Sequence, residues 1–121
     1  MSRRGQRADN DRVESQLLSK QARVAALCRR FGVSQLEVFG SAAVGDFDPA
    51  CSDYDFIARF APQPGVSMAR RFLGFNEALE QLLERPVDLM TDHRIENPFL
   101  RAAVNASRKT VYAEPPAEAL V

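Results

Sequence analysis

Three aspartates carry the chemistry this sequence suggests. Asp53 and Asp55 stand two residues apart in Ser-Asp-Tyr-Asp-Phe-Ile-Ala-Arg-Phe, and Asp88 stands in Val-Asp-Leu-Met-Thr. Aspartate is depleted in strands, yet both stretches otherwise read as strands. On a strand, residues i and i+2 share a face. Asp53 and Asp55 are therefore expected side by side, with backbone positions roughly 6.5 Å apart. Carboxylates that lean to within about 5 Å would repel by around 3 kcal/mol at an effective dielectric of 20. Such a pair calls for a cation, a shared proton or an arginine. With Asp88, whose flanking Val87 and Leu89 point the other way, the acids form a candidate site for divalent metal. Hard oxygen donors suit magnesium or manganese rather than zinc. Two such ions, roughly 3.5–4 Å apart, can bridge the attacking and leaving oxygens of an in-line displacement.

Twelve residues before Asp53 lies Gly40-Ser41. Glycine allows close backbone approach, and a helix start offers N–H donors to a phosphate. Taken singly, each feature has a plainer explanation. A Gly-Ser turn after a strand is common, Asp-x-Asp at a strand edge can be a solvated pair, and a lone strand aspartate is more often a surface residue. Their combination and order favour function.

The elements that must position these residues follow from periodicity and punctuation. A helix is expected from Asp9 or Asn10 to Phe31, with Val13, Leu17, Val24, Leu27, Cys28 and Phe31 inward and Gly32 at its end. A short strand over 35–39 leads to the Gly40-Ser41 turn, with Ser41 as N-cap of a helical turn through Val44. Residues 45–51 read as a loop stiffened by Pro49, and 53–60 as the second strand. Pro62, Pro64 and Gly65 end that strand. A second long helix is expected from Ser67 to about Glu84, with Ala69, Phe72, Phe75, Leu79, Leu82 and Leu83 inward and Gly74 as a weak point. Pro86 opens a third strand, Val87 to Thr91. Asn97-Pro98 is an N-cap and N1 pair for a last helix to about Ser107. Lys109 to Ala113 is expected as a final short strand.

The connection between the first two strands is too short for a crossover helix, so they are expected to be antiparallel. The fold class is therefore α/β of the α+β kind, a small mixed sheet with helices packed on it. Residues 1–8 are expected to be disordered, 9–114 to form one domain, and 115–121 a flexible tail.

Composition narrows the function classes. At 121 residues, one domain can bury roughly two-thirds of its unfolded surface. Sixteen basic and sixteen acidic residues cancel, so direct nucleic-acid binding is not indicated. No apolar run is long enough for a membrane span, and the basic N-terminus lacks the apolar core of a secretory signal. A cytoplasmic protein with reduced thiols is expected, Cys28 being buried and structural. Phosphate-loop and dinucleotide glycine motifs are absent from the sequence.

The order Gly40-Ser41, Asp53-Tyr54-Asp55, Asp88 resembles the minimal nucleotidyltransferases, the small MNT branch of the DNA polymerase beta superfamily. The stretch "NPFLRAAVNASRKTVYAE", residues 97–114, is similar to the C-terminal part of many such proteins, and the likeness spans most of 35–114. It implies a polymerase beta-like nucleotidyltransferase fold and transfer of a nucleoside monophosphate, AMP from ATP, to a hydroxyl acceptor. By match, Gly40 and Ser41 would hold the triphosphate and Asp53 and Asp55 the metals, magnesium or manganese. Asp88 would be the third carboxylate, a metal ligand or the base for the acceptor hydroxyl.

The resemblance also implies a partner. Many such proteins are antitoxins that add AMP to a HEPN-type toxin. Two departures stand out. The gap between Ser41 and Asp53 holds eleven residues, one more than usual, and Val44 replaces a frequent arginine. Both favour an alternative in which the chain neutralises its partner by contact alone. A third reading, a subunit that nucleotidylates a small molecule, needs an acceptor domain for which this chain has little room. His93, Arg59, Arg94, Arg101, Arg108 and Lys109 are secondary candidates, for which surface or partner contacts are the simpler roles.

Overall fold

The structure is a computed structural model, and it describes residues 15–45, 53–91 and 97–114. The expected N-terminal cap at Asp9 or Asn10, the expected inward Val13, the expected disorder of 1–8, Pro49, Cys51, His93, Arg94 and residues 115–121 lie outside the described residues.

A four-stranded mixed sheet organises the chain. Its strands are β1 (Val33–Phe39), β2 (Tyr54–Phe60), β3 (Val87–Thr91) and β4 (Lys109–Ala113), in the order β3-β2-β1-β4. β1 pairs antiparallel with β2 and with β4, while β2 and β3 run parallel. The helices are α1 (Ser15–Ser19), α2 (Gln21–Phe31), α3 (Ser41–Val44), α4 (Met68–Leu83) and α5 (Pro98–Ser107). The antiparallel β1–β2 pair follows from the short connection, and the parallel β2–β3 pair from the crossover through α4.

The two faces of the sheet differ. Leu36, Val38, Tyr54, Phe56, Ala58, Val87 and Leu89 point to the main core, where Leu17, Val24, Cys28, Phe75, Leu79 and Leu83 meet them. The opposite face carries a small cluster of Phe39, Ile57 and Val104, with Met90 against it. Among the described residues, α5 is the helix that contributes to that second cluster, through Val104. Asp55 and Asp88 lie on this second face.

Several expectations are corrected. The first helix is broken at Lys20, whose φ of −105° and ψ of 13° leave the helical region, so α1 and α2 are separate. Lys20 donates its ammonium to the Leu82 carbonyl, and Gln16 donates to the Leu83 carbonyl, both at the end of α4. β1 starts at Val33, directly after left-handed Gly32. Asp53 precedes β2 instead of opening it. Gly40, not Ser41, occupies the cap position of α3.

Helix α4 buries Arg71 rather than Ala69. The Arg71 guanidinium donates to the carbonyls of Phe31, Gly32 and Ala61, and it stacks 5.2 Å from the Phe60 ring centroid. Three carbonyls and an aromatic face compensate the buried charge. Gly74 is a packing requirement, since a Cβ there would lie 2.9 Å from the Phe31 ring. Ser67 caps α4 by accepting from the Arg70 N–H, and Asn97 caps α5 by accepting from Phe99 and Leu100.

Candidate active site

The Asp-Tyr-Asp-Phe alternation divides β2 between the two faces. Tyr54 and Phe56 are fully buried and stack at 5.9 Å between centroids. Their anchoring turns Asp55 to the opposite side. Asp55 pairs in register with Asp88 on parallel β3 and with Phe39 on β1. Paired residues on neighbouring strands share a face and lie about 4.8 Å apart along the ladder. Two hydrogen bonds hold the start of β3 in that register. Val87 N–H donates to the Glu80 carboxylate at 3.0 Å, and Tyr54 N–H donates to the Pro86 carbonyl at 3.0 Å.

Electrostatics single out Asp55. Its carboxyl is pushed up to about 6, first by burial, then by the charge of Asp88 and then by that of Asp53. A half-buried acid among like charges favours its neutral form. Asp88 is exposed beside it. Asp53 is exposed and its carboxylate lies 3.7 Å from the Arg85 guanidinium. Among the described residues no three His, Cys, Asp or Glu side chains are already drawn around one cation-sized point. The acids are neighbours, but they are not a preformed cage, and Arg85 engages one of them.

Gly40 is built against this cluster. Its φ is 75° and its ψ −151°, and a Cβ on it would lie 2.7 Å from Asp55 Oδ2. Glycine is required twice here, once for the backbone conformation and once for the space. The Gly40 N–H donates to Ser107 Oγ at 3.0 Å, and its carbonyl accepts from Ala43 N–H at 3.0 Å. The Gly40 donor is therefore engaged by α5, and Ser41 begins the single turn of α3.

Other candidates fall elsewhere. Arg108 pairs with Glu37 and donates to the Asn105 side-chain carbonyl at 2.7 Å. With Gln35, Glu37 and Ile57, Arg59 and Arg108 line a shallow groove towards the far end of the same sheet face. The thiol of Cys28 is buried and pushed up to about 12, mainly by desolvation, so it is inert at neutral pH. Arg85 and Ser107 were missed by the sequence reading. Arg85, next to strand-opening Pro86, carried only a weak signal, and Ser107 carried none.

The family profile described as "Nucleotidyltransferase domain" matches residues 23–111. The chain belongs to the nucleotidyltransferase domain family. The match contains Gly40, Ser41, Asp53, Asp55 and Asp88. No curated protein sequence matches the chain. Among solved structures, a minimal nucleotidyltransferase superposes with a TM-score of 0.63 at 29% identity, covering 78% of this chain and 92% of that one. A toxin–antitoxin structure with AMP-PNP gives 0.58 at 19% identity, covering 83% and 78%. A tri-AMPylated HEPN toxin of Shewanella oneidensis in complex with its MNT antitoxin gives 0.56 at 18% identity, covering 86% and 78%. The last two likenesses speak to the fold. The mixed four-stranded sheet with helices packed on it is the minimal nucleotidyltransferase fold. No helix among the described residues is long and apolar enough to cross a membrane.

Proposed function

We propose that this nucleotidyltransferase transfers AMP from ATP to a hydroxyl on a partner protein of the HEPN type, and so acts as the antitoxin of a pair. The observation that carries the proposal is the in-register placement of Asp55 and Asp88, with Gly40 packed against the Asp55 carboxylate. Complexes of similar fold hold an AMP-PNP nucleotide or an AMPylated HEPN toxin, which supports both the nucleotide and the partner.

The donor set fits magnesium or manganese. Three carboxylates offer only hard oxygens, and the Asp55 carboxyl, raised first by burial and then by the charges of Asp88 and Asp53, would be returned to its ionised form by a cation. Asp53, Asp55 and Asp88 would hold it, Asp53 after leaving Arg85. Bound there, the metal would neutralise charge developing on the phosphates.

The chain's own residues account for the rest. The Gly40-Ser41 turn holds the triphosphate beside Asp55. Asp88, the most open of the strand carboxylates, serves as a ligand or takes the proton of the attacking hydroxyl. That oxygen bonds to the α-phosphorus as the bond to pyrophosphate breaks. The hydroxyl must come within about 3–3.5 Å of that phosphorus. Among the described residues, the sheet face beside α5 leaves such an approach open. The partner's interface is expected to border residues 40–55 and α5, where Phe99 is 85% exposed and Leu100 40%.

Co-expression with a HEPN-type partner and intact-mass analysis test the proposal. A mass gain of one or more AMP units on the partner supports it. Neutralisation without a mass change would instead establish the contact-only reading, which the long loop before Asp53 and Val44 favour.

A further inference from the structure

The geometry points to Ser107, at the end of α5, as a positioning residue for the nucleotide-binding turn. The inference rests on the proposed nucleotide role of Gly40-Ser41. Three groups hold Gly40 in place. The Asp55 carboxylate fills the space a Cβ would take, Ala43 N–H donates to the Gly40 carbonyl, and Ser107 Oγ accepts the Gly40 N–H. Ala43 belongs to the turn itself, and Asp55 to the site. Among these three, Ser107 is the one that connects the turn to a separate helix.

Ser107 is well placed for this. One turn earlier, Val104 is fully buried against Phe39 and Ile57 beneath the helix. The next residue, Arg108, is tied to Glu37 on β1 and donates its N–H to the Val104 carbonyl. The hydroxyl lies 3.4 Å from the Ala103 carbonyl, to which it donates. With its proton directed there, its lone pairs face the Gly40 N–H. A serine held between two anchors thus sets the orientation of the Phe39–Gly40 peptide. The Gly40-Ser41 turn then meets phosphate already ordered instead of paying to order itself on binding.

Removing the hydroxyl leaves a half-buried N–H without its acceptor. Ser107→Ala is expected to weaken Mg–ATP binding by roughly three- to tenfold, the worth of one net hydrogen bond. The KM for ATP should rise by a similar factor with kcat nearly unchanged, since the contact acts equally on substrate and transition state. Ser107→Thr keeps the acceptor and should restore both. In the nucleotide-free protein, hydrogen exchange of the Gly40 amide should quicken in Ser107→Ala and return in Ser107→Thr.

Titration of wild type and both variants with Mg–ATP, alongside Gly40 amide exchange, decides the matter. Weaker binding and faster exchange in Ser107→Ala, rescued by Ser107→Thr, support the assignment. Wild-type affinity with unchanged Gly40 exchange in Ser107→Ala overturns it, even if that variant melts lower. A wild-type chain that binds no Mg–ATP overturns the nucleotide reading, and the Ser107 role with it.

Discussion

Gly40 and Asp55 are in contact across the β1–β2 pair: the hydrogen that glycine carries in place of a side chain faces the Asp55 carboxylate, and a Cβ would come within 2.7 Å of Oδ2. The turn that follows β1 and the central carboxylate of β2 are thus one packing unit. Gly40→Ala must strain a backbone at φ 75° and displace the carboxylate together. The strain alone is worth about 1–3 kcal/mol. Chemical denaturation should show a loss of that size, and calorimetry should show Mg–ATP binding lost as well. A variant that keeps both would break the link between turn and carboxylate.

The raised Asp55 carboxyl makes a pH-dependent statement about the chelated, metal-free protein. Its folded value of about 6 lies above the ordinary 3.8, so the unfolded chain loses this proton first. The associated stability is fully present below about 3.8 and is lost as pH rises through about 6. Asp55→Asn cannot ionise. Its melting temperature should therefore gain on wild type progressively from pH 4 to about 6.5. Solvent screening of a half-exposed group limits the gain to on the order of 1 kcal/mol. Added magnesium should raise the melting temperature of wild type more than that of Asp55→Asn. Parallel melting curves for the two proteins across that window would contradict the burial and charge account.

Arg71 is a structural charge. Replacing it with Met keeps much of its volume but strips the Phe31 and Ala61 carbonyls of the guanidinium donor and leaves the Gly32 carbonyl the Ala61 N–H. The expected cost is about 2–4 kcal/mol by urea denaturation, since buried partners are left unsatisfied. A near-neutral Arg71→Met would mean that water replaces the guanidinium.

Much of this arrangement is legible in local sequence. The period of two in Asp-Tyr-Asp-Phe places Tyr54 and Phe56 inward and Asp55 outward, because one buried face suffices to set a strand's parity. Gly32, Ser67 and Asn97-Pro98 mark helix ends because capping depends on one or two residues. What stayed hidden depends on residues far apart in the chain. The break at Lys20 accompanies hydrogen bonds to the end of α4. Arg71 reads as a surface arginine until the carbonyls at the end of α2 and after β2 surround it. The Asp53–Arg85 and Gly40–Ser107 contacts link elements whose adjacency only the fold creates. Asp53 and Asp55 were expected side by side on one strand, yet of the two Asp55 lies within the ladder and is half-buried while Asp53 precedes it.

Phe99 tests the partner surface separately from the chemistry. At 85% exposure it contributes little to the fold. Phe99→Asp should leave the melting temperature within about 2–4 °C of wild type, as surface changes away from special features usually do. It should weaken co-purification of a HEPN-type partner while leaving Mg–ATP affinity intact. Undiminished co-purification would move the interface away from the start of α5.

The central claim is that Asp53, Asp55 and Asp88 form the centre for transferring a nucleoside monophosphate. Intact mass of a co-expressed HEPN-type partner tests it most directly, with wild type compared against Asp53→Asn/Asp55→Asn and against Asp88→Asn. The account predicts AMP-sized additions with wild type and none with either variant, each variant remaining folded by melting temperature. Additions that persist in the folded carboxylate variants would contradict it.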